Sequence, residues 1–316
     1  MLSGMPLYLA LLAAGVVALY GGAELLVAGA SRLALGVGLR AATVGVTVIA
    51  LATTAPELFV STIGALNVST DIGLGAVVGS NIANIGLVLG VSALIKPLRV
   101  GPIVMRRHVP FMVFAAILLV GLGANGTIGR LEGTVLLLVL TVFTAYLLYG
   151  VNATPAPMVD DPDADAGDGL ALRDVALVIG GLVALLVGSR WLVSGGTGLL
   201  SELGFSDLFI GLTVLALGTS LPELAASVVG AVRGQTEFAI GNVVGSNIYN
   251  ILAVLGVVAV ITPIDITAST LRLELPVLVA FTIVLVAMMG YGRRLTRLDG
   301  AALVVGYGVF IYLLFP

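Results

Sequence analysis

No cysteine occurs in the 316 residues, a single histidine does, and only 10% of positions carry charge. The lack of cysteine removes disulfides, thiolate metal ligands and cysteine nucleophiles from consideration. The shortage of charge excludes more. With 59% of residues hydrophobic, a water-soluble fold would lack the polar groups needed to cover its own surface. A net charge of -3 and the absence of any basic stripe interleaved with aromatics argue against nucleic acid as a partner. Strand-like alternation is missing as well, which argues against a membrane β-barrel.

What is present is a series of apolar runs, each of about 18 residues or more, long enough to cross a hydrocarbon core of about 30 Å as a helix. Spanning helices are expected near 6–35, 40–67, 72–95, 108–124, 130–150, 171–201, 207–232, 238–261, 270–290 and 298–315. The 42 glycines suit such a bundle, because small residues let membrane helices approach closely. The N-terminus has no basic segment and its apolar run continues past residue 30, which fits a first spanning helix better than a cleaved signal. One long polar stretch interrupts the pattern, VNATPAPMVDDPDADAGDG, and its Asp, Pro and Gly cannot bury apolar surface. The expected organisation is therefore a first five-helix unit over 1–150, an acidic linker over 151–170 and a second five-helix unit over 171–316.

The two units are related. A shift of 166 residues aligns GVTVIALATTAPE (45–57) with GLTVLALGTSLPE (211–223), and the same shift aligns GAVVGSNIANI (75–85) with GNVVGSNIYNI (241–251). Gly22 falls on Gly188, Gly29 on Gly195 and Pro97 on Pro263 without a gap. Chance apolar similarity would not keep Thr, Pro, Glu, Ser and Asn in step. Five helices per unit is an odd number, so the second unit enters the membrane from the opposite side and the repeats are inverted. In transporters, inverted repeats place the substrate site near the midplane at their interface.

Charge sets the expected orientation. Loops on one side hold Arg40, Lys96, Arg99, Arg106, Arg107, Arg173, Arg233, Arg293, Arg294 and Arg297, against Arg130 and Arg272 on the other. The basic side reads as cytoplasmic. Both termini of this multi-pass cell-membrane protein then face outward, with the linker inside.

Glu57 and Glu223 lie well inside the second and seventh spans at matching positions. A carboxylate at that depth is expensive and normally faces a bundle interior or a wet cavity. A structural Glu paired with an intramembrane Arg is the alternative, but the motifs contain no basic residue. Pro56 and Pro222 precede the glutamates, and each removes an amide donor, freeing carbonyls around Ala52, Thr53, Gly218 and Thr219. Broken helices of this kind supply backbone oxygens to cations at transporter midplanes. Ala50, Thr53, Thr54 and Glu57 share one helical stripe, as do Ala216, Thr219, Ser220 and Glu223, while Ser80 with Asn84 and Ser246 with Asn250 are i, i+4 pairs. All these groups offer oxygen, which suits Ca2+ or Na+ and fits Zn2+ or Cu2+ poorly. Two facing carboxylates balance one divalent charge and repel one another without it, so protons are candidate occupants too.

At these residues the chain resembles the sodium/calcium exchanger family of the calcium/cation antiporters, through paired motifs of the form G-T-S-x-P-E followed by G-S-N-I-x-(N/D). The resemblance implies an all-α membrane protein of ten transmembrane helices, built as two inverted five-helix repeats with broken helices two and seven around a central cation site. It also implies sliding of the first and sixth helices, and Ca2+/Na+ exchange without a cofactor by a chain that works as a monomer in the bilayer. Position by position it makes Glu57 and Glu223 the acidic ligands, Thr53, Thr54, Thr219, Ser220, Ala50 and Ala216 the hydroxyl and carbonyl ligands, and Ser80, Asn84, Ser246 and Asn250 those of the third and eighth helices. Two departures stand out. Ala52-Thr53-Thr54-Ala55 replaces G-T-S-L and keeps the hydroxyls. Asn250 stands where similar prokaryotic exchangers carry Asp, which leaves two carboxylates and makes Ca2+/H+ antiport the rival reading.

Other features carry less. Asp161-Pro162-Asp163-Ala164-Asp165 opens like a calcium loop, but Ala166 and Leu172 fill its sixth and twelfth positions, where such a loop needs Gly and Glu. Glu24 and Arg190 are equivalent under the repeat and are expected to form a buried ion pair. His108 beside Arg106 and Arg107 reads as an interfacial residue. A channel would need a continuous pore, usually from several subunits, whereas one chain here supplies both halves of a site. An intramembrane enzyme would need a water-activating motif such as H-E-x-x-H, and none is present.

Overall fold

The structure, a computed structural model, describes residues 4–36, 41–67, 70–151, 172–204 and 218–314. The predicted linker beyond Val151, the start of the predicted seventh span and Ala216 lie outside them. The described residues are overwhelmingly helical. The first unit holds α1 (Met5–Gly36) and α2, which passes through Ala41–Val44, Gly45–Ile49 and Ala50–Thr53. It continues with α3 (Ala55–Asn67) and α4, made of Thr70–Ala83, Asn84–Leu89 and Gly90–Ile95. Its last helices are α5 (Val104–His108 and Val109–Gly123) and α6 (Arg130–Val151). The second unit holds α7 (Leu172–Glu202), α8 (Leu221–Val232) and α9, made of Thr236–Tyr249, Asn250–Leu255 and Gly256–Ile261. It ends with α10 (Thr270–Glu274 and Leu275–Gly290) and α11 (Arg297–Leu314).

Eight of these helices are long and apolar enough to cross a membrane. Large side chains such as Val17, Ile117, Leu138 and Val305 are exposed on them, an outer surface suited to lipid rather than water. The chain is accordingly a multi-pass membrane protein.

Local structure repeats at the offset seen in the sequence. Asn84–Leu89 and Asn250–Leu255 are both π-helical, as are Val104–His108 and Thr270–Glu274. A π-turn inserts one extra residue per turn and is common at functional sites. Nothing in composition marks such a turn, and the one at Val104–His108 ends on His108. His108 is fully buried, with neither ring nitrogen partnered, instead of lying at an interface as expected.

Four short strands tie the loops into two faces. β1 (Leu98–Arg99) pairs antiparallel with β4 (Arg294–Leu295). On the same face Lys96 donates to the Val232 carbonyl at 3.3 Å and Arg297 to the Ile95 carbonyl at 3.3 Å. β2 (Thr127–Ile128) pairs with β3 (Ile264–Asp265) at the far end of α9. Sequence patterning missed these pairs because two residues carry no periodicity.

α4 and α9 are the most buried of the long helices and form the centre. The pair α1 and α7 stands to one side and packs back to back. A Cβ on Gly22 would lie 2.9 Å from the Gly181 carbonyl, and one on Gly188 would lie 2.8 Å from the Leu19 amide. Gly15 and Gly22 face Gly188 and Gly181 through such backbone contacts, while Gly29 rests on the backbone of Asp174 and Val178 and Gly195 on that of Tyr8 and Leu12, where lipid offers no hydrophobic drive and close approach supplies the attraction. This pair meets the remainder through a separate small apolar cluster including Leu26, Val27, Ile49, Ala226 and Phe238.

The expected pairing of Glu24 with Arg190 is not what the fold contains. Arg190 is exposed on α7, and Glu24 forms its ion pair with Arg233 at the end of α8. Two turns along α1, Ser31 donates to Gln235 at 2.6 Å. A long guanidinium reaches back along the helix surface from the loop, so equivalence under the repeat does not determine the partner.

Candidate functional site

The two helices that carry the glutamates begin in the same way. Thr54 (φ -80°, ψ -8°) separates α2 from α3, and Ser220 (φ -87°, ψ 1°), its equivalent, precedes α8. These are the bridge-region angles of a turn. Pro56 and Pro222 follow in the first turn of each new helix, where a missing N–H costs nothing. The glutamates come next, so each carboxylate sits at a helix N-terminus, where the backbone dipole favours negative charge. One freed carbonyl behaves otherwise than expected: Ser189 of α7 donates to the Gly218 oxygen at 2.5 Å, so that oxygen is already claimed.

Glu57 and Glu223 are buried to 2% and 0% exposure and lie close enough to repel one another. No basic side chain among the described residues pairs with either. The Ser80 hydroxyl joins the halves: it lies 3.4 Å from Glu57 Oε1 and 3.2 Å from the Ser220 hydroxyl, and it accepts from Asn250 Nδ2 at 3.2 Å. Ser246 makes the mirror contact to Glu223 Oε1 at 3.5 Å, and the Thr53 hydroxyl also reaches Glu223. The carboxylate contacts are at the long end of the hydrogen-bond range.

Five oxygens of this cluster have no partner: Glu57 Oε2, Glu223 Oε2, Asn84 Oδ1, Asn250 Oδ1 and Thr54 Oγ1. Four of them are repeat equivalents. A buried acceptor left unsatisfied is costly, and an uncompensated buried carboxylate far more so. A set made only of oxygens, with two negative charges and neutral amides, is chemistry suited to a hard cation.

The structure thus brings together Glu57, Glu223, Thr53, Thr54, Ser80, Asn84, Ser220, Ser246 and Asn250. Thr219 is half-buried beside them at the break. Ala50 is buried, but its carbonyl already accepts from the Thr54 amide at 3.0 Å and the Thr53 hydroxyl at 3.4 Å, which makes it the least free of the candidate oxygens. Two residues passed over in the sequence belong here. Asn81 and Asn247, the asparagines of the two GSN triplets, are buried at 0% and 2% exposure within the same network. Their conservation of step between the repeats was the available signal.

Comparison with known proteins follows the same lines. The profile of the family described as "Sodium/calcium exchanger protein" matches residues 7–149 and 174–315. CaxA of Alkalimonas amylolytica is 37% identical over 276 residues, covering 85% of this chain and 86% of that one. The sodium/calcium exchanger MaX1 of Methanosarcina acetivorans is 29% identical, covering 85% and 87%. Among solved structures, the sodium-calcium exchanger NCX_Mj superposes with a TM-score of 0.85 at 28% identity, over 99% of this chain and 100% of that one.

Proposed function

Because the chain belongs to the sodium/calcium exchanger family, we propose that it is a secondary antiporter exchanging Ca2+ for Na+ by alternating access, with Glu57 and Glu223 as the charged ligands of the transported ion. The observation that carries this is the meeting of two buried, unpaired carboxylates from opposite units with the free oxygens of Asn84, Asn250 and Thr54. The paired negative charge offsets one Ca2+, and the hydroxyls of Ser80, Ser220, Ser246 and Thr53 complete an oxygen shell around it. We read the membrane topology as ten spans in two inverted repeats. The two spans missing from the eight long helices are then the broken ones, α2 with α3 and the span that ends in α8. The face carrying Lys96, Arg99, Arg233, Arg294 and Arg297 is cytoplasmic in this reading, and both termini lie outside. The α1 and α7 pair, welded by its glycines and seated on a small separate cluster, is the body that moves across the site.

Ca2+ loaded into proteoliposomes by an outward Na+ gradient, and not by an outward proton gradient of equal size, is the expected result. Uptake driven by protons alone would replace Na+ with H+ as the counter-ion. A specific observation keeps that second reading in view: Asn250 supplies an amide, so the described site holds two carboxylates and no cluster of three acidic or histidine groups. For the same reason Asn250→Asp is expected to alter the charge moved per cycle, measured as current in a solid-supported membrane; an unaltered current would place residue 250 outside the ion shell.

A further inference from the structure

Asn84 and Asn250 each have one amide nitrogen and one amide oxygen, and the two ends are treated differently. The oxygens are unpartnered and buried. The nitrogens are held, and each is held by the opposite unit. Asn250 Nδ2 donates to Asn81 Oδ1 at 3.0 Å, and Asn84 Nδ2 donates to Asn247 Oδ1 at 3.3 Å. The two holders are themselves pinned on their other ends: Asn81 Nδ2 to the Asn247 carbonyl at 3.5 Å and Asn247 Nδ2 to Met112 Sδ at 3.8 Å. Ser80 takes the second hydrogen of Asn250. An amide side chain is symmetric in shape but not in polarity, so an acceptor on one side decides which atom faces the other.

We propose that Asn81 and Asn247 are crossed positioning residues, which hold the Asn250 and Asn84 amides so that their oxygens, and not their N–H groups, face the transported cation. This rests on the antiporter reading above. The holders touch no ion themselves; they act through the amide each one grips across the interface of α4 and α9. A hydrogen-bonded partner that orients a ligand commonly accounts for about 10–100-fold in metal affinity. The contact also explains why an amide is suited to position 250. A carboxylate there would set two acceptors against each other where Asn250 Nδ2 now meets Asn81 Oδ1.

The test is Ca2+ transport by the purified full-length chain in proteoliposomes, with KM and the maximal rate measured separately and thermal stability recorded in detergent. Asn81→Leu keeps the volume and removes the acceptor. It is expected to raise the Ca2+ KM about tenfold or more, with a much smaller change in maximal rate. Asn81→Asp, which keeps an acceptor, is expected to bring KM back to the parental value or below. Added to Asn250→Ala, Asn81→Leu is expected to have no further effect on KM. An unchanged KM in Asn81→Leu, or a full Asn81→Leu effect in the Asn250→Ala background, overturns the positioning role. If Asn250→Ala alone leaves KM unchanged, the ion-shell reading fails and the clamp with it. Should Asn81→Leu not fold, Asn247→Leu tests the mirror contact through Asn84 with the same expectation.

Discussion

Glu57→Gln and Glu223→Gln should each leave a folded membrane protein whose Ca2+ flux is reduced about hundredfold or more, a larger loss than the 10–100-fold typical of groups that only orient a ligand. The reason is electrostatic. Each carboxylate is buried without a basic partner and faces the other, so the empty cluster carries repulsion that a divalent cation removes. The amide of Gln keeps the volume and one oxygen but halves the compensating charge, leaving Ca2+ with an unbalanced positive charge in a medium that stabilises it poorly. Folding should be spared, since relief of that repulsion favours the empty protein; a higher melting temperature in Ca2+-free detergent is the accompanying sign. Wild-type flux in either variant, with the protein correctly inserted, would remove the glutamates from the transport path. The two variants should also resemble one another closely, because the residues occupy equivalent first turns of α3 and α8.

Much of this was legible in the sequence because the repeat constrained it twice. Glu57 and Glu223, the prolines before them and the serine and asparagine pairs kept step at one offset, and the structure joins them through Ser80 and Asn250. What could not be read were relations set by docking rather than by periodicity. Glu24 and Arg190 are equivalent in the repeat, yet Glu24 pairs with Arg233, because contact depends on which loop lies beside the middle of α1. The Gly218 carbonyl, expected to be left free by Pro222, is taken by Ser189, whose repeat equivalent Ala23 has no hydroxyl. Asn81 and Asn247 carried the right signal, but their function as partners of the other unit's amides exists only once α4 and α9 cross. The π-turns at Asn84 and Asn250 had no compositional mark at all, although they begin on two of the candidate ligands.

Replacing Gly181 by Val should separate α1 from α7 and abolish both stable folding and transport, whereas the same change at Gly180 should be nearly silent. The neighbours make a controlled pair within one helix. A Cβ at Gly181 would stand 2.6 Å from the Leu26 amide and 2.7 Å from the Gly22 carbonyl, and backbone atoms cannot swing aside as a side chain can; a Cβ at Gly180 would meet nothing within 4 Å. Overpacking a tight contact costs about 1–3 kcal/mol, and here it would also prise apart the neighbouring contacts at Gly15, Gly22, Gly188 and Gly195, which share the same interhelical distance. Alanine should already separate the two sites in sign. Gly181→Ala is expected to lower the melting temperature in detergent, while Gly180→Ala should hold or slightly raise it through better helix propensity. Equal effects at the two positions would mean that the helices do not meet along the glycine stripe. They would also weaken the physical basis for treating α1 and α7 as one moving body, because backbone-to-backbone contact along the stripe is what brings the two helices so close.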